Sequence, residues 1–355
     1  MDNQNRPAWN TAEKTQLKWF LLIAYGLTAV MGVLLGISQR MGNSVDVFPN
    51  AQMYYPAAGV MLACFLTRRN DPLLPRRFFG FFLVLTGALV ALCIASVLFP
   101  ALPSAAIVQY FILAGSALAW LFYLSEKKEK RAAYGLRWAN GKTSFLMMLL
   151  FIALYFARTF ISVLLSGGMA EYLPYWKTAT PWIVLIALVP SYFLAFTAFF
   201  GEEYGWRCFL QPLLQKRFGV LGGTLVLGVV WGLWHLPLNL FYYSPATSLQ
   251  SIAAQQIVCI TLSVFFAFAY LKTQNIWVPV ALHFLNNNLI PVITGSADIA
   301  NQTYAWGDIG WSLVLNAAVF LPFLLSGVFR SPAPAGAIPG DTSCETAQPA
   351  PDEAD

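Results

Sequence analysis

The residues able to do acid–base chemistry in this 355-residue chain are few and lie close together. Residues 202–207 read Glu-Glu-Tyr-Gly-Trp-Arg and close a long apolar run. Two adjacent carboxylates beside lipid are costly, and an ionisable group at membrane depth points to a functional site. If a helix continues through this segment, Glu203 and Arg207 share a face and can pair. Glu202 then points about 100° away and has no local partner. Glu203 therefore reads as the structural acid that holds Arg207, and Glu202 as the free one. A carboxylate in a partly desolvated pocket can act as a general base.

The chain has two histidines, His235 and His283, each in a later apolar segment. His235 sits in Trp-Gly-Leu-Trp-His-Leu-Pro. Trp231, one turn earlier, can pack on the imidazole, and Pro237 should break the helix. Alone, such a histidine reads as a hydrogen-bonded core residue. His283 and Asn287 are four apart and project from one helix face. An imidazole and an amide together can donate to a developing oxyanion; the plainer alternative is polar glue between helices. The three consecutive asparagines 286–288 are costly in an apolar segment unless paired or wet. The two histidines and the Glu-Glu pair fall within 82 positions, which favours a shared site. The chain contains no HExxH, so it is not a zincin. It contains no GxSxG, which argues against a serine mechanism. Paired aspartates of the aspartic intramembrane type are also absent.

These residues need elements to position them, and composition names the setting. The chain is 58% hydrophobic and 10% charged, with a mean hydropathy of +0.61. A soluble domain carries roughly 25% charged residues, so an all-α, polytopic transmembrane bundle is expected. A span needs about 20 apolar residues. About ten candidates fall near 18–37, 51–66, 78–99, 104–124, 144–165, 181–200, 220–241, 251–271, 276–293 and 308–328. The second and ninth are short and should be tilted, kinked or re-entrant. Pro56, Pro190, Pro237, Pro279 and Pro291 should bend or end helices. With the N-terminus inside, 18 of the 21 Lys and Arg residues fall in inside loops and two outside. That bias supports both termini inside a bacterial-type inner membrane. The +5 charge reflects these loops, not nucleic acid. The five cysteines show no metal or disulfide spacing and read as small buried hydrophobes. The N-terminus is polar for too long to be a cleaved signal, so the first apolar segment reads as a retained anchor.

The polar stretch 125–143 reads as a solvated inside loop. It divides a four-span N-terminal membrane region (1–140) from a six-span core (141–330). Residues 331–355 read as a disordered acidic tail. Arg158 falls near the outer end of the fifth span, where snorkelling to the interface is favoured over a buried pairing role. Straight-helix counting leaves a tension. At 1.5 Å per residue it puts Glu202 at the inner face, His283 about 10 Å deep and His235 roughly 20 Å deep. A lead-in at 211–219 lying in the interface would relieve it.

EExxxR, then aromatic-xxx-His, then HxxxN, on successive apolar segments, resembles the CPBP family of CAAX-processing-like and bacteriocin-processing (Abi) intramembrane proteases. The likeness covers roughly residues 181–293. It implies Glu202, Glu203 and Arg207 in the first motif, His235 in the second, with Trp231 where many members have Phe, and His283 and Asn287 in the third. It implies an intramembrane endopeptidase in which Glu202 and His235 activate water while His283 and Asn287 hold the oxyanion. It adds His235 as a partner for Glu202. Zinc on Glu202, His235 and His283 is the variant the likeness leaves open. The expected partners are a membrane-associated or lipidated peptide or protein and the bilayer. A transporter, or a non-catalytic immunity or scaffold protein, is the alternative use of the same buried polar cluster.

Overall fold

The computed structural model describes residues 8–295 and 298–331; the expected acidic tail beyond Ser331 lies outside them. Among the described residues the chain is helical and has no strand. Helices α1 (Thr11–Leu21) and α2 (Thr28–Arg40) form one rod through a π-helical turn at Leu22–Leu27. Short α3 (Val47–Gln52) and α4 (Tyr55–Thr67) follow, then α5 (Arg76–Leu98) and α6 (Ser104–Ser125). Helix α7 (Lys128–Ala133) lies in the polar connection. Helices α8 (Gly141–Leu165) and α9 (Met169–Trp176) lead to α10 (Thr180–Glu203). A π-helical segment, Tyr204–Leu210, joins α10 to α11 (Gln211–Trp234). After short α12 (Leu236–Leu238) come α13 (Ser248–Thr273), α14 (Trp277–Thr294) and α15 (Trp306–Phe320).

Seven helical stretches among the described residues are long and apolar enough to cross a membrane. One of them, Thr180–Trp234, takes in two of the expected spans. The two segments expected to be short are α4, with 13 residues, and α14, with 18. At 1.5 Å per residue, α4 is about 20 Å long, shorter than a bilayer core. Its residues from Tyr55 to Met61 are all buried. It is a core helix surrounded by protein, which explains why an apolar run this short is stable here.

The helix carrying the Glu-Glu pair packs on α4 through two glycines. Gly201 and Gly205 are four apart and flank the carboxylates. A Cβ on Gly201 would stand 2.4 Å from the Met53 carbonyl oxygen, and one on Gly205 would stand 2.4 Å from Pro56. Small residues at this spacing let helix backbones touch. The front part of the chain thereby seals one side of the segment. Trp234 Nε1 donates to the Ala24 carbonyl at 2.8 Å, and Tyr25 Oη donates to that of Val230 at 2.7 Å. One hydrophobic core runs through both the front and back parts.

The stretch expected as a solvated loop is exposed along α7 but docked beyond it. Tyr134 and Leu136 are buried. Tyr204 Oη donates to the Tyr134 carbonyl, and Trp277 Nε1 to that of Leu136. Glu126 accepts from the backbone N–H groups of Arg77 and Phe78 at the start of α5. Such pairing satisfies donors that a helix start leaves open.

The expected lead-in at 211–219 is helical and ends at a break. Gly219 has φ 77° inside α11, a conformation that glycine adopts without steric cost. The chain folds back there, so that Gly223 meets the backbone of Leu214 and Gln215. This reversal relieves the depth mismatch between Glu202 and His235. Substituting Gly201 by Ala should lower stability by about 1–3 kcal/mol through overpacking. Gly80→Ala, where a Cβ meets nothing within 4 Å, should not destabilise. Thermal unfolding of both variants in detergent checks the contrast.

Candidate active site

Glu203 is fully buried and its two oxygens have different partners. Oε2 accepts from Arg207 Nε at 2.9 Å, and Oε1 faces His283 Nδ1 at 2.8 Å. The Arg207 pair is the one expected from the four-residue spacing, and it survives the π-helical turn. The His283 contact joins residues 80 positions apart. Nδ1 must donate, because a carboxylate already paired with a guanidinium can only accept. The other ring nitrogen, Nε2, is left for the cavity that His283 lines. Arg207 also donates to Ser263 Oγ at 3.2 Å, and its guanidinium lies over the rings of Trp231 and Phe266 at 5.1 and 5.3 Å.

Glu202 points elsewhere, as helix geometry requires, and is buried too. Its Oε2 accepts from the Trp231 indole at 2.9 Å. A phenylalanine at 231 would fill much the same space without this donor. The exchange of Phe for Trp, mild in the sequence, thus adds a specific hydrogen bond.

The break before Pro237 orients His235. The backbone N–H of His235 bonds to the Gly232 carbonyl, leaving the Trp231 carbonyl free for the imidazole. His235 Nδ1 lies 3.0 Å from that oxygen. A carbonyl only accepts, so Nδ1 carries the proton and Nε2 bears the lone pair. Asn239 Nδ2 and Gln52 Nε2 bond the His235 and Trp234 carbonyls, each at 3.0 Å. These side chains add donors to the carbonyls around the helix break. Trp231 therefore touches Glu202 with its indole and His235 with its carbonyl.

Asn287 is exposed on α14. Its Oδ1 accepts from Asn286 Nδ2 at 2.9 Å, which leaves its own amide N–H groups to donate. Asn288 Nδ2 bonds the Phe284 carbonyl at 2.8 Å. Glu202, His235, His283 and Asn287 all line one cavity of about 630 Å³. Glu203 and Arg207 lie behind its wall. Asn239, Gln255 and Tyr243 also line it; nothing in their local sequence marked them, although Asn239 sits four residues after His235. Helices α11 and α13 approach closely enough to form this wall because Gly228 and Gly232 present no side chain to Ile260 and Gln256.

The likeness left zinc open on Glu202, His235 and His283. Among the described residues no group of three or more His, Cys, Asp or Glu side chains converges to hold a metal ion. Glu202, His235 and His283 are therefore not drawn together as a ligand set.

Residues 186–289 match the family model described as type II CAAX prenyl endopeptidase Rce1-like. The chain is also similar to a protein named CAAX prenyl protease 2 of Methanococcus maripaludis, 28% identical over 105 residues. That stretch is 30% of this chain and spans only 37% of the relative's length. No solved structure matches the chain.

Removing Glu203 should strand a buried guanidinium and an imidazole at once. Glu203→Ala should cost about 3–5 kcal/mol, as expected for breaking a buried ion pair. Glu202→Ala, which loses one donor, should cost about 1–3 kcal/mol. Unfolding midpoints in nanodiscs give the order; equal losses would contradict the separate roles.

Proposed function

From the match of residues 186–289 to a type II CAAX prenyl endopeptidase Rce1-like model, we propose that this chain is an intramembrane endopeptidase of the CPBP type. Its substrate is a membrane-associated or lipidated peptide or protein. The observation that carries the proposal is the convergence of Glu202, His235, His283 and Asn287 on one cavity. Both imidazoles are fixed at Nδ1, by Trp231 and by Glu203.

In the proposed reaction a water rests between Glu202 and Nε2 of His235. One of these bases takes a proton as the water oxygen attacks the scissile carbonyl carbon. The carbonyl π electrons move to oxygen. The resulting oxyanion accepts from the Asn287 amide and from Nε2–H of His283. Collapse re-forms the carbonyl and breaks the C–N bond, and the proton taken from water goes to the departing amine. His283 must carry both ring protons to donate from Nε2. Its counter-charge is at hand, because Glu202, Glu203 and Arg207 together carry one net negative charge. A proton on His283 balances the buried cluster, and buried charges of this kind persist when paired and hydrogen-bonded.

Purified wild type should cleave members of a membrane-peptide library in nanodiscs. Glu202→Gln, His235→Ala and His283→Ala should each lower cleavage at least about 100-fold while still inserting. Trp231→Phe should lower it about 10-fold or more, the scale of a hydrogen bond to a charged group. Cleavage should persist in chelator. Full activity in Glu202→Gln would overturn the mechanism. No cleavage by any form would favour the transporter or scaffold use of the cluster.

A further inference from the structure

A second cavity, of about 440 Å³, lies between α8 and α15 and contains a cation that the proposed chemistry does not use. Arg158 lines it. Its Nη1 donates to Asn316 Oδ1 at 2.8 Å, and its guanidinium lies over the Tyr155 ring at 4.5 Å. Asn316 is buried, and its amide nitrogen is tied to the carbonyl and hydroxyl of Ser312. The asparagine oxygen is thus held toward the arginine, which is half-buried beside it. The sequence favoured snorkelling of Arg158 to the interface; the structure adds a fixed protein partner in Asn316.

Among the described residues Arg158 takes part in no ion pair. Arg207, a fully buried arginine, has its carboxylate in Glu203. A guanidinium is a planar fork of five donors and matches the oxygens of a phosphate. Asn316 and Tyr155 occupy only part of that capacity. The hydroxyls of Ser162 and Ser312 also line the cavity. The one carboxylate lining it, Asp308, is engaged by the backbone N–H of Ala305 in the first turn of α15.

The position suits a headgroup. Arg158 lies seven residues before the end of α8 at Leu165, about 10 Å along the axis. Trp311, which lines the cavity, and Trp306, at the start of α15, are 56% and 60% exposed. Tryptophans at helix ends mark the interface where phosphates lie. Val258 and Ile290 line both this cavity and the candidate active site. Tyr155, under the guanidinium, donates to the carbonyl of Asn286 next to Asn287. An occupant here would rest against the wall of the catalytic cavity.

We propose that the cavity between α8 and α15 is an anion site that holds a phosphate group, with Arg158 as its cation. The observations at its mouth favour the phosphodiester of a membrane lipid over free phosphate. Native mass spectrometry of the full chain, titrated with phosphatidylglycerol or with diacylglycerol of the same tails, tests this. Wild type should hold one phosphatidylglycerol at least 10-fold more tightly than Arg158→Gln, and diacylglycerol should bind both forms equally weakly. Asn316→Asp would place an internal carboxylate on the guanidinium, and should abolish the preference in a folded protein even if Arg158→Gln folds poorly. Arg158→Lys should retain part of it. Millimolar inorganic phosphate should leave the lipid adduct intact; displacement in wild type would keep the anion site but reassign its occupant to free phosphate. Equal phosphatidylglycerol binding by wild type and Asn316→Asp, or equal binding of the two lipids by wild type, would overturn the proposal.

Discussion

A single carboxylate organises the polar interior. Glu203 has no contact with solvent, and it fastens Arg207 on its own segment and His283 on α14. Burying such a group is tolerable only when its oxygens are paired. The two helices must therefore keep their register, since a slip of one residue would strand a charge in an apolar core. Everything at the cavity inherits that register. His283 is aimed by Glu203, Trp231 lies against the Arg207 guanidinium, and Trp231 in turn holds Glu202 and His235.

The polar cluster stays buried because backbones pack closely around it. Gly201 and Gly205, on either side of the carboxylates, turn their bare faces to Met53 and Pro56. Helix α4 is too short to span a membrane and is enclosed by the bundle. It serves as the surface against which the Glu-Glu segment is pressed. The front part of the chain is thus joined to the site physically, whatever else it does. Gln52, from the end of α3, reaches the Trp234 carbonyl beside His235.

Much of this was legible where the physics is local. A strongly apolar chain with few charges gives a helical bundle. The Glu203–Arg207 pair follows from residues four apart on a helix, and the break at His235 from Pro237. Contacts between distant segments were not legible. Nothing near Glu203 signals that its second oxygen meets His283, because the two residues share no element. Straight-helix depth counting failed between Glu202 and His235 because the chain reverses at Gly219, whose positive φ no periodicity reveals. Trp231 looked like one aromatic replacing another, because its indole N–H has meaning only once Glu202 is seen beside it.

Both imidazoles are held at Nδ1 by acceptors, so that both Nε2 atoms serve the cavity. The chain contains two histidines, which makes this directly observable. Selective ¹⁵N-histidine NMR of the tag-free protein in nanodiscs, with His235→Ala to assign the signals, reads the protonation of each ring nitrogen. The account predicts protonated Nδ1 on both rings, a bare Nε2 on His235 and a proton on Nε2 of His283. An unprotonated Nδ1 on either ring would contradict it.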